Sequence, residues 1–574
     1  MRCIYTIVFL VLSFTGNAQT PWFVKFVAPL DIPTSLSGTS FDLHIRQGET
    51  PFFLQGSTPT YGINGSYLGP TLIFKKGDSV HLAVSNEMNI HTTLHWHGLH
   101  VPPRFDGGIQ NHIHPNTTWS PSFLIQDDGA TYWYHTHSHH ETAHQATLGL
   151  MGMIIVQDSM EQSLVLPREY GVDDIPVIIQ SKSFKYTTEE ILPLGSESHF
   201  LVNSTVYPYL KVPRQLVRLR LLNGSNLRVI NIGFSDNRTF YQITTDGSLL
   251  EHPIERTRIK LSTGERADIL IDCSNLISGN TLYVVNYASE LPAGTPGTLF
   301  TAAPSILDSR DIEIMKIMGV DSTTHPVRTI PEQLREPHYI WDEQDAVITR
   351  KFNFEVDLPL LFSSGFIKGF SINHELFDEN KVDFEVNLND IEIWELYNNT
   401  PFSHPFHIHG TQFYILDRNG VTPPEYERGK KDVVLVDPYE RVRLIMQFTD
   451  FVDDTYRYLY HCHILSHEDE GMMGQFVVKE KTTGIHPEIN IPLINVFPNP
   501  SNEYGNIHIK FNNNQLVFNR IAIYDMQGKL VFLKELEHET PTYILSTENI
   551  PTGTFLIHIL KGDDVIGVGK FVRQ

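Results

Sequence analysis

The chain has 574 residues, 41% of them hydrophobic, and 66 acidic side chains against 43 basic ones give it a net charge of -23. That length exceeds what one hydrophobic core can organise, so three or four domains are expected. The negative charge argues against a nucleic-acid partner, and no segment approaches the roughly 18 to 20 apolar residues of a transmembrane helix.

Residues 1–18 read as a signal peptide. Arg2 supplies the charge, Ile4 to Phe14 the short apolar run, and Gly16-Asn17-Ala18 a small-residue cleavage site. After its removal only Cys273 and Cys462 remain, and Cys273 reads as a buried structural thiol. Short apolar–polar alternations then follow, separated by Gly, Pro, Asn and Asp turns. Thr71-Leu-Ile-Phe, Ser79-Val-His-Leu-Ala-Val and Val217-Arg-Leu-Arg-Leu221 are examples. The pattern predicts an all-β chain built of antiparallel sandwiches, with a short helix expected only between Glu141 and Leu150. Segment 305–345 has weak periodicity and reads as an interdomain connection. Residues 483–494 read as a linker.

Four His-X-His pairs interrupt this pattern: His95-Trp-His97, His135-Thr-His137, His407-Ile-His409 and His461-Cys462-His463. Residues i and i+2 of a strand share a face, so each pair presents two imidazoles to one side. Imidazole and thiolate select copper or zinc over calcium or magnesium, and eight histidines imply several ions close together. Cys462 faces the opposite way from His461 and His463. Cys462, His467 and Met472 are spaced like the closing loop of a blue-copper site, which needs a second histidine; His404 is the candidate, and Met473 is the alternative axial ligand. One strand would then hold a mononuclear copper on one face and a cluster on the other.

These motifs, in this order, resemble the multicopper oxidases, in particular the branch of bacterial laccases, cuprous oxidases and bilirubin oxidases. The resemblance implies three cupredoxin-like Greek-key β-sandwich domains, at about 19–158, 159–315 and 330–482. It implies four copper ions as cofactors. The type 1 copper takes His404, Cys462, His467 and Met472. The type 2 copper takes His95 and His407, and the type 3 pair takes His97, His135, His137, His409, His461 and His463. Electrons from a small reducing donor enter at the type 1 copper and reduce dioxygen to water at the trinuclear cluster. Asp106 and Glu468 match acidic residues that shuttle protons in that branch.

The donor is less legible. The chain has 11 Met without a dense cluster, and Met315 and Met318 are a thin substitute for the methionine-rich insert of cuprous oxidases. Thioethers select Cu(I), so a laccase-like oxidase of phenols or other aromatics is the first reading and a cuprous or ferrous oxidase the second. A non-catalytic copper-binding or scaffold protein is the remote alternative. His100, His112, His114, His139, His140 and His144 fall outside the ligand set and read as surface histidines or a secondary copper contact.

Residues 495–574 contain Val496-Phe-Pro-Asn-Pro500, Ile521-Ala-Ile-Tyr-Asp-Met-Gln-Gly-Lys-Leu530 and Ile550-Pro-Thr-Gly-Thr-Phe-Leu556. They resemble the C-terminal sorting domain of the type IX secretion system, a small β-sandwich. The resemblance implies the type IX secretion machinery as partner, with export through periplasm and outer membrane to the cell surface or the medium.

Overall fold

Apolar side chains at every second position turn inward from one sheet after another. In Ser40–Thr50, Phe41, Leu43 and Ile45 are buried while Ser40 and Asp42 face water. The computed structural model describes residues 25–574 apart from 54–55, 186–187, 189, 193–196, 278, 299–304, 338–340, 365–367, 482–493, 502–504, 512–516 and 563. The expected signal peptide, and the expected linker except Ile494, lie outside the described residues. Strand accounts for 49% and helix for 7%, which makes the chain all-β. Residues up to Lys481 form one compact unit and the rest a second.

The first unit contains three two-sheet sandwiches. In the first, a four-stranded sheet with Thr71–Lys75, Ala130–His135 and Met151–Gln157 faces a five-stranded one with Ser40–Thr50 and Ser79–Asn86. Leu43, Phe74, Leu82, Trp96 and Tyr134 fill the space between. In the middle sandwich, Ile179, Leu219, Ile232 and Ile269 make the core, and Cys273 is buried among them as a free thiol. The third sandwich has two five-stranded sheets around Phe352, Trp394, Phe406, Leu444 and Phe476. No helix among the described residues is long and apolar enough to cross a membrane.

Several local expectations are revised. The sheets are mixed: Ser40–Thr50 pairs in parallel with Ser79–Asn86, and Thr71–Lys75 with Met151–Gln157. Alternation fixes which face is buried and carries no information on a partner's direction. Strand Asp311–Val320 runs past residue 315 and pairs with Thr281–Tyr287, because Ile314, Met315 and Ile317 complete the middle core. Leu30 also packs into that core, so the segment before the first sandwich adheres to the second. The helix expected over 141–150 runs from Thr142 to Leu148, and a further short helix, Leu465–Asp469, carries His467 and Glu468.

The second unit is a small sandwich of a three- and a four-stranded sheet around Ile507, Ile509, Ile523, Ile557 and Phe571. Asp525 Oδ1 accepts from the backbone N–H of Gln527 and of Lys529, closing the Tyr-Asp-x-x-Gly-Lys turn.

Candidate metal centres

Strand register decides which histidines meet. Phe406 lies opposite Cys462, and His407 opposite His461, in the paired strands His404–Ile408 and Tyr458–Cys462. Opposed residues share a face and successive residues alternate. His404, Phe406 and Cys462 therefore face the third core, while His407, His409, His461 and His463 face away from it. In the first sandwich His95 and His135 exchange backbone hydrogen bonds of 2.7 and 3.1 Å, which aims the other two pairs to one side.

The eight imidazoles converge between the first and third sandwiches, each 1% exposed or less. His95 stacks on His409, and His97 on His407, with centroids 3.8 Å apart in both pairs. Outer hydrogen bonds place the proton of four of these rings on Nδ1. His95 Nδ1 donates to the carbonyl of Asp106 (2.9 Å), His407 Nδ1 to that of Asp432 (2.8 Å) and His135 Nδ1 to that of Thr136 (2.7 Å). His409 Nδ1 donates to Asp106 Oδ2 at 2.7 Å. A ring whose single proton sits on Nδ1 carries a lone pair on Nε2. The Nε2 atoms of His95 and His407 are buried without any hydrogen-bond partner.

His461 Nδ1 faces the Cys462 carbonyl at 3.1 Å and Glu468 at 3.3 Å, and His137 Nδ1 faces Glu468 at 3.4 Å. His461 Nε2 lies 3.2 Å from His137 Nε2 and 3.3 Å from His409 Nε2. With Nδ1 of both rings turned to acceptors, the Nε2 lone pairs of His409 and His461 face each other, which is repulsive unless a cation sits between them. His97 is reversed: Nε2 donates to Asp432 Oδ1 (3.0 Å), and Nδ1 faces His135 Nε2 at 3.3 Å. Both nitrogens of His463 are unpartnered, and its ring is 4.9 Å from that of His97. Burial first, and neighbouring histidines second, hold His97, His137, His407, His409 and His463 well below the ordinary imidazole value. Neutral, buried, converging imidazoles fit transition-metal ions such as copper.

On the other face, Cys462 Sγ lies 3.5 Å from His404 Nδ1 and 3.6 Å from His467 Nδ1. His404 Nε2 donates to Thr400 Oγ1 (3.0 Å), whose own proton goes to Asn398 Oδ1 or the Phe402 carbonyl. The Nδ1 lone pair of His404 is thereby aimed at the sulfur. Burial pushes His467 down to about 3 and raises the Cys462 thiol, so only a bound cation would keep that sulfur a thiolate. Met472 is fully buried in the same apolar cluster as Cys462. Met473 packs elsewhere, with Ile109 and Leu459.

Two expected proton carriers stand beside the cluster. Asp106 is 1% exposed, with Oδ1 unpartnered. Burial, and then the charge of Asp469, push Glu468 well above the usual carboxylate range. Cations beside His137 and His461 would oppose that shift.

Sequence reasoning missed Asp432 and Arg266. Asp432 accepts from His97 and is gripped by both terminal nitrogens of Arg266 at 2.6 and 2.7 Å, and both residues are fully buried. Burial opposes the charge on Arg266, but Asp432 and Asp246 outweigh it and hold its pKa above the ordinary value. Arg266 belongs to the middle sandwich, so that ligand-free domain still braces the cluster. It does so again through Thr263 Oγ1, which donates to the His463 carbonyl at 2.6 Å. Gly264 (φ +84°) follows, where a Cβ would press within 3.1 Å of the His463 ring. A Cβ at Gly98 would collide with Asp432 and Arg266. One sequence signal was available: Asp432 is an acidic residue set directly before the apolar strand Val433–Val436.

The remaining histidines stay outside. His140 stacks on His139 and donates to the Asp469 carbonyl at 2.8 Å, His144 lies against Tyr61, and His100 is tied to Gly410 and Asp450. Met315 is sealed in the middle core, and Met318 lies on the same strand.

Comparison with known proteins agrees with this geometry. Family models described as multicopper oxidase match residues 46–161 and 351–482, and one described as a secretion system C-terminal sorting domain matches 495–573. The chain is 34% identical to multicopper oxidase mco of Staphylococcus haemolyticus, over 76% of this chain and 88% of the relative. It is 32% identical to cell division protein FtsP of Photorhabdus laumondii, over 77% and 90% of the two chains. Among solved structures, a laccase-like multicopper oxidase CueO from Ochrobactrum sp., described as active towards lignin model compounds and lignosulfonate, superposes with a TM-score of 0.70. It is 33% identical and covers 78% of this chain and 100% of its own. The sorting domain indicates export to the cell surface or beyond. The chain belongs to the multicopper oxidase family.

Proposed function

We propose that this protein is an exported oxidase that draws electrons one at a time from a small aromatic donor and reduces dioxygen to water with four copper ions. The observation that carries the proposal is the division of one short strand: Cys462 meets His404 and His467 on one face, and His461 and His463 join six further imidazoles on the other. His404, Cys462, His467 and Met472 would hold a type 1 copper. His95 and His407 would hold type 2, and His97, His135, His137, His409, His461 and His463 the type 3 pair. Bound copper supplies the redox chemistry.

The protein's own groups manage protons. Glu468 stands between His137 and His461, where its carboxyl can hold and give up a proton. Asp106 orients His409 through Oδ2 and keeps Oδ1 free to accept a proton. The buried ring of Phe370 lies 4.2 Å from that of His467 and packs against it. Burial of Met315 in the middle core removes one thioether that a cuprous donor would need. The described activity of the Ochrobactrum relative supports the aromatic reading. Likeness to FtsP keeps a scaffold role as the second reading, and the complete ligand set weighs against it.

Oxygen uptake by the copper-loaded protein, with a diphenol or a stabilised Cu(I) complex as sole donor, tests this. Faster uptake with the diphenol is expected. Faster uptake with Cu(I) would make it a metallo-oxidase, and no uptake with either would return the scaffold reading. Export by the type IX route is tested by deleting residues 495–574: oxidase activity should persist while the protein fails to reach the medium.

A further inference from the structure

Outside the buried cluster, a fifth His-X-His pair, His112 and His114, lies exposed on the first sandwich beside His91. Thr92 and Ile113 exchange backbone hydrogen bonds of 3.2 and 2.8 Å, pairing the two segments antiparallel. His112 and His114 flank Ile113 and so project to one side, and His91, just before Thr92, meets the His112 ring across the pair.

The backbone beneath is firmly held. Asn86, 1% exposed, donates through Nδ2 to the carbonyls of Ile90 and Ile113, both at 2.8 Å. Gln145 Nε2 donates to the His91 carbonyl at 3.1 Å, and Thr117 Oγ1 to the His114 carbonyl at 2.8 Å. Three exposed rings thus stand on a fixed platform, and none takes a hydrogen bond among the described residues.

Their spacing resembles that of the buried ligands. The His91 and His112 centroids are 5.2 Å apart, and those of His112 and His114 are 6.3 Å apart. In the cluster, imidazoles aimed at a common point lie 4.9 to 5.5 Å apart. The first surface pair falls inside that range. The second closes to it by a small rotation of an exposed side chain. Burial, then His91 and His114, hold His112 below the ordinary imidazole value, while the charge of Glu379 pulls the other way. The ring therefore offers a lone pair at neutral pH.

We propose that His91, His112 and His114 form a surface site for a divalent transition-metal ion. Imidazoles at an open surface favour Cu(II) most strongly among common divalent ions. This site is separate from the buried centres and adds one ion to their complement.

The test titrates Cu(II) into the copper-loaded full chain against a weak competing chelator, counting bound copper and recording its electron paramagnetic resonance. The wild type should take up one further Cu(II) with nitrogen hyperfine structure. His112→Gln/His114→Gln should lose that equivalent, His91→Gln should weaken it, and His252→Gln, at an exposed histidine elsewhere, should keep it. The blue absorption reports Cys462 separately and should be unchanged in all four. A wild type that takes up no further Cu(II), or a double variant that retains it, overturns the site.

Discussion

The two faces of Tyr458–Cys462 are built from opposite materials. Around Cys462 the surroundings are apolar: Phe406, Phe370, Ile464 and Met472, with Thr400 as the outer partner of His404. On the face of His461 three buried carboxylates hold the rings: Asp106 at His409, Asp432 at His97 and Glu468 at His461. A centre that only passes an electron needs fixed ligands and no proton traffic. A centre that would turn dioxygen into water needs acids that hold and release protons in a dry site. The difference between the faces matches the two tasks that the proposed function assigns to them.

The largest effect should come from emptying the apolar face. Cys462→Ser removes the thiolate and should abolish the blue colour and donor oxidation while the fold survives, since the sulfur is one small buried group. Circular dichroism and visible absorption check this, and a variant that stays blue would overturn the assignment of Cys462. Next comes the brace of the polar face. Asp432→Ala leaves Arg266 buried without its main counter-ion, which costs about 3–5 kcal/mol. It also frees His97 from its acceptor. Thermal melting should fall and cluster copper should be lost before the blue copper; preferential loss of the blue copper would contradict the bracing role.

A middle-sized effect separates the faces functionally. Glu468→Gln keeps shape and removes the exchangeable acid, so oxygen consumption should drop by about 10²-fold or more. Anaerobic bleaching of the blue colour by the donor should be unchanged, because the proposed function places electron entry on the other face. Slower bleaching in this variant would mean that Glu468 serves the wrong step.

The ligand faces were legible because a period of two is local: His-X-His announces its own geometry wherever a strand forms. His404 could be paired with Cys462 by the same reasoning, since it lies on the opposite face from His407 in one strand. The supporting shell was not legible. Arg266 and Asp432 are 166 residues apart, in different sandwiches, and no spacing rule links them. The parallel pairing of Ser40–Thr50 with Ser79–Asn86 was hidden for the same reason, as was the continuation of the middle core through Ile317. Local pattern tells which way a side chain points and leaves open what it will meet.

The smallest effect tests the finest distinction, between adjacent methionines. Met472 shares the apolar cluster with Cys462, whereas Met473 lies opposite His461 in the strand pair and packs on Ile109 and Leu459. A weak axial thioether donates to the oxidised ion more than to the reduced one, so its loss favours reduction. Met472→Leu should therefore keep the blue colour and raise the reduction potential. Met473→Leu should leave the potential alone, since a near-isosteric swap in a packed core costs less than about 1.5 kcal/mol. A redox titration of both variants decides the matter. If Met473→Leu moves the potential and Met472→Leu does not, the axial position belongs to the other residue, and the apolar cluster around Cys462 is packing alone.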